Sequence, residues 1–489
     1  MQAISDFLLP IAAKINQYLS DYILFFLLVG IGLFYTVRTR FVQVRCFGEG
    51  MKKVFGGLSL RGGKQNGGLS SFQALATAIA AQVGTGNIVG ACGAILIGGP
   101  GAIFWMWLIA FFGMATIYSE AVLAQQTKEI QEDGSVLGGP VYYIKKAFKG
   151  PFGKVLAGFF AVAITLALGF MGAMVQSNSI ASSVNTASNE FIPVWVIGIV
   201  LAVICAFIFI GGVQRIASVA EKIVPIMAVV YLVIGIVILG INVKEIPETF
   251  GMIFKYAFKP NALLGGALGA AIKAAISQGV KRGLFSNEAG MGSTPHAHAQ
   301  AKVKTPHDQG VVAMIGVFID TFVVLTITAL VVISTLYAGN GPLGTEAGLA
   351  ANGITGALTK ANLMQSAVGT ALGSEVAGNI IIAVCLTFFA FTTIISWNFF
   401  GRQNIQYLVG KKSSNVAVIV YSVVAIAFIF LGSVLQNDLV WELTDMFNNL
   451  MVIPNVLALA FLSKFVVDEA SSAYARKKEA KAEKKALKK

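Results

Sequence analysis

Apolar runs, each about as long as a bilayer crossing and parted by shorter polar stretches, fill most of the chain. A helical span needs roughly 20 mostly apolar residues. Eleven candidates stand at about 19–37, 70–97, 100–127, 153–184, 191–211, 218–242, 262–303, 310–338, 373–402, 413–434 and 441–464. From Gln65 to Ser119 there is no charge at all, yet AQVGTGNIVG, residues 81–90, sets Gly84-Thr85-Gly86 where a helix should run on. Glycine inside a helix costs about 1 kcal/mol against alanine, so a weak point is predicted there. The seventh run is too long for one straight span and holds Lys273, Lys281, Arg282 and Glu288. In GVKRGLFSNEAGMGSTPHAH, residues 279–298, Gly283, Gly290 and Gly292 flank Ser286, Asn287 and Glu288. Pro295 suits the first turn of a new helix, and Ser293 or Thr294 can cap it. The pattern predicts a helix that stops near Phe285 and restarts near Ser293.

Composition agrees with the pattern. Of 489 residues, 56% are hydrophobic and 12% charged, where a soluble globular protein carries about 25% charged residues. This is an all-α, multi-pass protein of the lipid bilayer. The net charge of +13 does not point to nucleic acid, because most of it sits in two flanks: residues 38–64 hold seven Lys/Arg against one Glu, and residues 464–489 hold nine against four acids. Basic flanks mark cytoplasmic segments and suit anionic lipid headgroups. Lys145, Lys146, Lys149 and Lys154; Arg215 and Lys222; Lys302 and Lys304; and Arg402, Lys411 and Lys412 fall at every second loop. Eleven spans with the N-terminus outside and the C-terminus cytoplasmic satisfy that alternation, in a plasma (inner) membrane. The segment 242–261 breaks it, being external yet carrying Lys244, Lys255 and Lys259. The N-terminus lacks a basic n-region and a small-residue cleavage site, so the first run is expected to stay as a helix. The four cysteines form no C-x-x-C or zinc spacing. His296 and His298 do not share a helix face and make a poor helical metal site. No transition metal and no cofactor are expected.

With the first span set aside, ten remain, and two sets of five run in opposite directions. That is the arithmetic of an inverted repeat, in which Gly/Pro-interrupted segments at matching positions mark a transporter's binding site. The expected organisation is an extra span with its basic segment (1–64), a first five-helix repeat (65–242), an external connection (243–261), a second repeat (262–465) and a basic cytoplasmic tail (466–489). A broken helix bares N–H groups at one end and C=O groups at the other. The N–H end suits a carboxylate, and the carbonyls suit an ammonium or a hard cation such as Na⁺. Two such breaks side by side make a midplane pocket for a small zwitterion and an ion. The bland alternative is that the glycines only let helices pack closely.

VGTGNIVG followed by GGPGAIFWMW, together with RGLFSNEAGMGSTPHAHA, strongly resembles the alanine or glycine:cation symporter family over nearly the whole chain. The resemblance implies a LeuT-type five-plus-five core with discontinuous first and sixth core helices. It implies sodium-coupled symport of a small neutral amino acid, alanine or glycine, by alternating access. Thr85 and Gly86 would then offer backbone N–H groups, and Thr85 a hydroxyl, to the substrate carboxylate, with Gly84 allowing close approach. The resemblance also suggests a sodium site from the carbonyls of Ala80 and Val83 with Phe389, Thr392 and Thr393. It places the face shared by Thr393 and Trp397 in the pocket, with Phe285 closing over substrate and Ser286 as a polar contact. Gln176 faces either the pocket or a helix partner. Asn87 either completes a second cation site or bonds between helices. Glu288 is an acid in a membrane break, functional by default. It could take a proton, a cation or the substrate amine, but the preferred reading is a structural pin between the breaks. Lys281 and Arg282 are a candidate gate, with Asp320 as their possible partner. Glu120 is expected to face cytoplasmic water. Proton coupling through Glu288 is the nearest alternative. A membrane-embedded enzyme would need a motif such as H-E-x-x-H or G-x-S-x-G, and none is present; a channel would need a continuous polar stripe.

Overall fold

The computed structural model describes residues 2–56, 69–132, 134–258, 268–345, 347–348, 352, 355–410, 414–435 and 437–486. Arg61, Lys64, Lys259, Lys411 and Lys412, among the basic positions noted above, lie outside the described residues. The main helices, in chain order, are α1 (residues 2–38), α2 (Ser71–Gln82), α3 (Gly86–Gly98), α4 (Ala102–Thr127), α5 (Gly150–Ala187), α6 (Val194–Ile210) and α7 (Gly212–Ile241). The second half supplies α8 (Leu268–Asn287), α9 (Pro295–Gln300), α10 (Pro306–Leu336), α11 (Glu375–Val409), α12 (Ser414–Val434) and α13 (Asn437–Phe461). Among the described residues, α4, α5, α7, α10, α11, α12 and α13 are singly long and apolar enough to cross a bilayer, and α2 with α3, bent by 45°, make one more.

Local sequence sets the boundaries that matter. Ser70 and Gln73 form a reciprocal cap at the start of α2, and Thr305 and Asp308 do the same for α10, with Pro306 in its first turn. Such caps satisfy N–H groups that have no helical partner. One expected cap is absent. Thr294 precedes α9 but makes no side-chain cap, and the Ser293 hydroxyl, the other candidate, is turned toward Glu288. The helix before the second break runs two residues past Phe285, to Asn287. The chain then passes through left-handed Glu288, Gly290 and Gly292 (φ 57°, 91° and 82°). α1 begins at Gln2, well before the predicted start at 19. The segments read as plain connections hold helices of their own, Ile246–Phe258 and Leu363–Leu372.

The helices pack as two groups. One joins α2/α3, α4, α8/α9 and α10; the other joins α5, α6, α11 and α12. Each half of the chain therefore gives its first two spans to one group and its next two to the other, as an inverted repeat requires. α7 and α12 present Val229, Val233, Ile236, Val416, Ile419 and Val423 outward, apolar faces suited to lipid. A parallel bridge between Leu69 and Ala301 ties the start of α2 to the end of α9. The two broken helices are thereby fixed to each other outside the breaks.

Candidate functional site

At the first break, α2 ends with the Val83 N–H still bonded to the Ile79 carbonyl at 2.7 Å. Beyond it, Gly84 N–H donates to Asn87 Oδ1 (3.0 Å) and Thr85 N–H donates to Gln176 Oε1 (3.1 Å). Side chains thus take over the work of the helical ladder. The glycines here are steric requirements. A Cβ on Gly84 would stand 2.4 Å from Thr393 Oγ1, and one on Gly86 would stand 2.9 Å from Ser286 Cα and 3.2 Å from Phe285 Cδ1. The second break and α11 therefore press directly on the first.

α11 meets the bared carbonyls. Thr393 Oγ1 lies 2.9 Å from the Ala80 carbonyl, 3.4 Å from that of Val83 and 3.0 Å from that of Phe389. Thr392 Oγ1 is 3.0 Å from the same Phe389 oxygen. The five positions suggested for sodium thus converge as an all-oxygen cluster across α2 and α11, the donor chemistry a hard cation takes.

At the second break, Glu288 accepts hydrogen bonds from Ser293 Oγ (2.6 Å) and from Trp397 Nε1 on α11 (2.5 Å). These bonds hold a left-handed non-glycine residue, a conformation that costs roughly 1–2 kcal/mol. Gln82 Nε2 on α2 donates to the Asn287 carbonyl at 2.7 Å, joining the two breaks directly. Phe285 packs edge-on against Trp397 (5.9 Å between centroids) and tilted against Trp441 of α13 (5.1 Å). Several buried polar atoms among the described residues have no hydrogen-bond partner, Thr294 Oγ1 and Ser396 Oγ among them; at the first break they are Thr85 Oγ1, Gln176 Nε2 and Gln82 Oε1, of which only the first two can donate.

The family model for the sodium:alanine symporter family matches residues 5–489. The chain belongs to that family. It is a transporter and not an enzyme. The sodium/alanine symporter AgcS of Methanococcus maripaludis is 40% identical over 457 residues, covering 93% of this chain and 95% of that protein. The amino-acid carrier protein AlsT of Bacillus subtilis is 36% identical over 451 residues, covering 91% and 88%. The solved structure of MhsT in complex with L-phenylalanine matches with a TM-score of 0.56 at 13% identity, over 83% of this chain and 99% of that one. That likeness speaks for the fold alone, which is of the LeuT type.

Two expectations for this symporter need correction. Asp320 does not meet Lys281 or Arg282. It lies in a π-helical stretch of α10, Phe318–Leu325, and accepts from Asn87 Nδ2 (2.7 Å), from the Ser286 hydroxyl (3.0 Å) and from Thr321 Oγ1 (2.8 Å). The basic pair is taken instead by Asp445 of α13, at 2.8 Å from Lys281 Nζ and 3.1 Å from Arg282 Nη2. Arg282 also stacks 4.8 Å above the Trp441 ring.

Nor does Glu120 face water; it is fully buried. Its two oxygens accept from Gly290 N–H (3.1 Å) and Gly292 N–H (3.0 Å), and Asn455 Nδ2 donates to it at 2.6 Å. Glu120, not Glu288, caps the freed amides of the second break. His296 is satisfied structurally, with Nδ1 on the Ser293 carbonyl and Nε2 receiving Asn404. Asp445, Asn455 and Gln82 have no local motif to mark them: the first two are among several polar residues of α13, and Gln82 is the last residue of α2. The available signal was their charge or amide inside an apolar span.

Proposed function

We propose that this protein is a secondary carrier that moves Na⁺ together with alanine or glycine by alternating access. Eleven spans in the plasma (inner) membrane place its N-terminus outside and its C-terminus in the cytoplasm. The observation that carries the substrate reading is the orphaned pair Thr85 Oγ1 and Gln176 Nε2. Both can donate to a carboxylate, both sit at the bared backbone of the first break, and a buried polar group without a partner costs about 1–3 kcal/mol. A bound carboxylate would relieve both. The rings of Phe285, Trp397 and Trp441 pack together, with Phe285 close against Gly86 of the first break, which favours a small side chain. The Ala80, Val83, Phe389, Thr392 and Thr393 oxygens serve Na⁺. Asn87, Ser286 and Asp320 form a polar bridge between the breaks, as a second cation site or a strut.

Lys281 and Arg282 with Asp445 close the external side, and opening requires that ion pair to part. The decisive experiment is uptake of radiolabelled alanine into proteoliposomes. An inward Na⁺ gradient should drive accumulation; uptake indifferent to that gradient would refute the reading. Proton coupling through Glu288 is separated by E288Q, which keeps an acceptor for Trp397. Retained sodium-driven uptake supports a structural role, in which Glu288 ties the second break to α11 and not, as expected, to the first break; loss of a pH-driven component would support the proton route.

A further inference from the structure

Away from the two breaks, three residues of metal-binding chemistry converge. Cys46 stands at the start of the short helix Phe47–Phe55, and Glu49 lies three residues on, on the same face. His307 is the second residue of α10. One ligand atom from each falls within 4.8 Å of the others, and His307 Nε2 is already 3.4 Å from Glu49 Oε1. Donors bound tetrahedrally to zinc at the usual bond lengths stand roughly 3.3–3.6 Å apart. The Glu–His pair meets that spacing, and the sulfur needs to close by about 1 Å. Cys46 and His307 are buried, and Glu49 is partly open to solvent.

The surroundings are those of a supported site. His307 Nδ1 is 2.8 Å from the buried Tyr118 hydroxyl of α4. If Nδ1 carries the ring proton and donates it to that oxygen, Nε2 presents its lone pair toward Glu49 and Cys46. Glu49 Oε2 is bonded to Lys477 Nζ at 3.2 Å, and Oε1 faces His307 at 3.4 Å with Lys53 Nζ farther off at 3.9 Å. Such outer partners fix the tautomer and orientation of metal ligands. Gly50 allows the approach, since a Cβ there would stand 2.6 Å from the Val311 carbonyl of α10.

We propose that Cys46, Glu49 and His307 bind one divalent transition metal of the zinc class, clamping the helix Phe47–Phe55 to the start of α10. Binding forms bonds from the thiolate sulfur, Glu49 Oε1 and His307 Nε2 to the metal and releases the thiol proton to solvent. Water completes the shell. No local motif announces the site, because its third ligand comes from the other half of the chain.

The test uses the purified full-length protein in detergent and Co²⁺ as a spectroscopic probe. Wild type should bind about one Co²⁺ per chain, with a sulfur-to-cobalt charge-transfer band in the near ultraviolet. C46S should abolish the band. E49Q and H307Q should weaken binding at least tenfold, and Y118F, which removes only an outer partner, by roughly 10–100-fold. Zn²⁺ should slow maleimide labelling of Cys46 in the unaltered chain, a readout that needs no variant to fold. All four cysteines are buried, but Cys46 is the most open, at 7% against 0%, 0% and 3% for Cys92, Cys205 and Cys385, so labelling that Zn²⁺ slows and a band that C46S removes are assigned to Cys46. Wild-type binding no stronger than that of C46S, or labelling indifferent to Zn²⁺, would overturn the proposal. Neither result bears on alanine transport, so the two readings fail independently.

Discussion

Gly84 works by what it lacks. With a Cβ 2.4 Å from Thr393 Oγ1, G84A would force α11 off the first break. Overpacking of this kind costs about 1–3 kcal/mol, so sodium-driven uptake should fall at least tenfold in G84A while the protein still purifies as a folded species. Thr393 is the complementary test. Its one hydroxyl reaches carbonyls of both α2 and α11. T393A should raise the Na⁺ concentration for half-maximal uptake by about tenfold, equivalent to about 1.4 kcal/mol, and T393S should restore it. Equal Na⁺ dependence in T393A and wild type would remove that hydroxyl from the ion site. At this scale the sequence was most legible where a rule of local chemistry was broken. GTG in an uncharged run and an acid beside two glycines both announced themselves. Thr85 could be picked out from its place in the GTG break, whereas Thr393 came from the family resemblance and Gln176 was left between the pocket and a helix partner. Asp320 was legible as an anomaly, but its partners were not. Whether it meets Arg282 or Ser286 depends on which faces of α8 and α10 touch, and no spacing along one strand of sequence encodes that.

At the scale of elements, the two breaks differ in how they are held. The first is closed by side chains from its own group and from α5: Asn87 takes Gly84, and Gln176 takes Thr85. The second is held by carboxylates on both sides, Glu288 toward α11 through Trp397 and Glu120 from α4 on the Gly290 and Gly292 amides. E120A would leave two buried amides without partners, at about 1–3 kcal/mol each. It should lower the thermal midpoint in detergent measurably, with E120Q in between, since its amide can still accept one of the two bonds. Unchanged stability in E120A would show that the break is held some other way. Helix positions were readable from the apolar runs, because run length and basic loops obey bilayer physics directly. Helix ends were less so. α8 runs on to Asn287 because that residue's side chain accepts from the Ala289 N–H beyond it, an interaction invisible to a glycine count. The helices Ile246–Phe258 and Leu363–Leu372 were missed because, at 13 and 10 residues, they are too short to carry a spanning-length signature.

For the whole molecule, alternating access requires one helix group to move against the other while the breaks stay in register. The Leu69–Ala301 bridge and the Gln82–Asn287 bond keep α2/α3 and α8/α9 together. In the proposed cycle the contacts that change lie elsewhere, at Trp397 with Phe285 and at the ion pair of Lys281 and Arg282 with Asp445. D445N removes the carboxylate paired with both Lys281 and Arg282 and leaves only Glu442, 3.7 Å from Lys281. It should increase labelling of a cysteine introduced at Ser286 by a membrane-impermeant reagent added from outside, and alanine with Na⁺ should reverse the increase. Labelling unaltered by D445N would mean that the pair does not govern entry. On the proposed reading, ion and substrate bind together at the paired breaks and favour the same conformation, so each strengthens the other by the same factor. A coupling of 1–3 kcal/mol corresponds to about 5–150-fold. The most direct measurement is equilibrium binding of alanine to the purified protein, in competition with a panel of small amino acids, with and without Na⁺. Tighter alanine binding in Na⁺, within that range and matched by tighter Na⁺ binding in alanine, is the predicted result; an alanine affinity that ignores Na⁺ would contradict it.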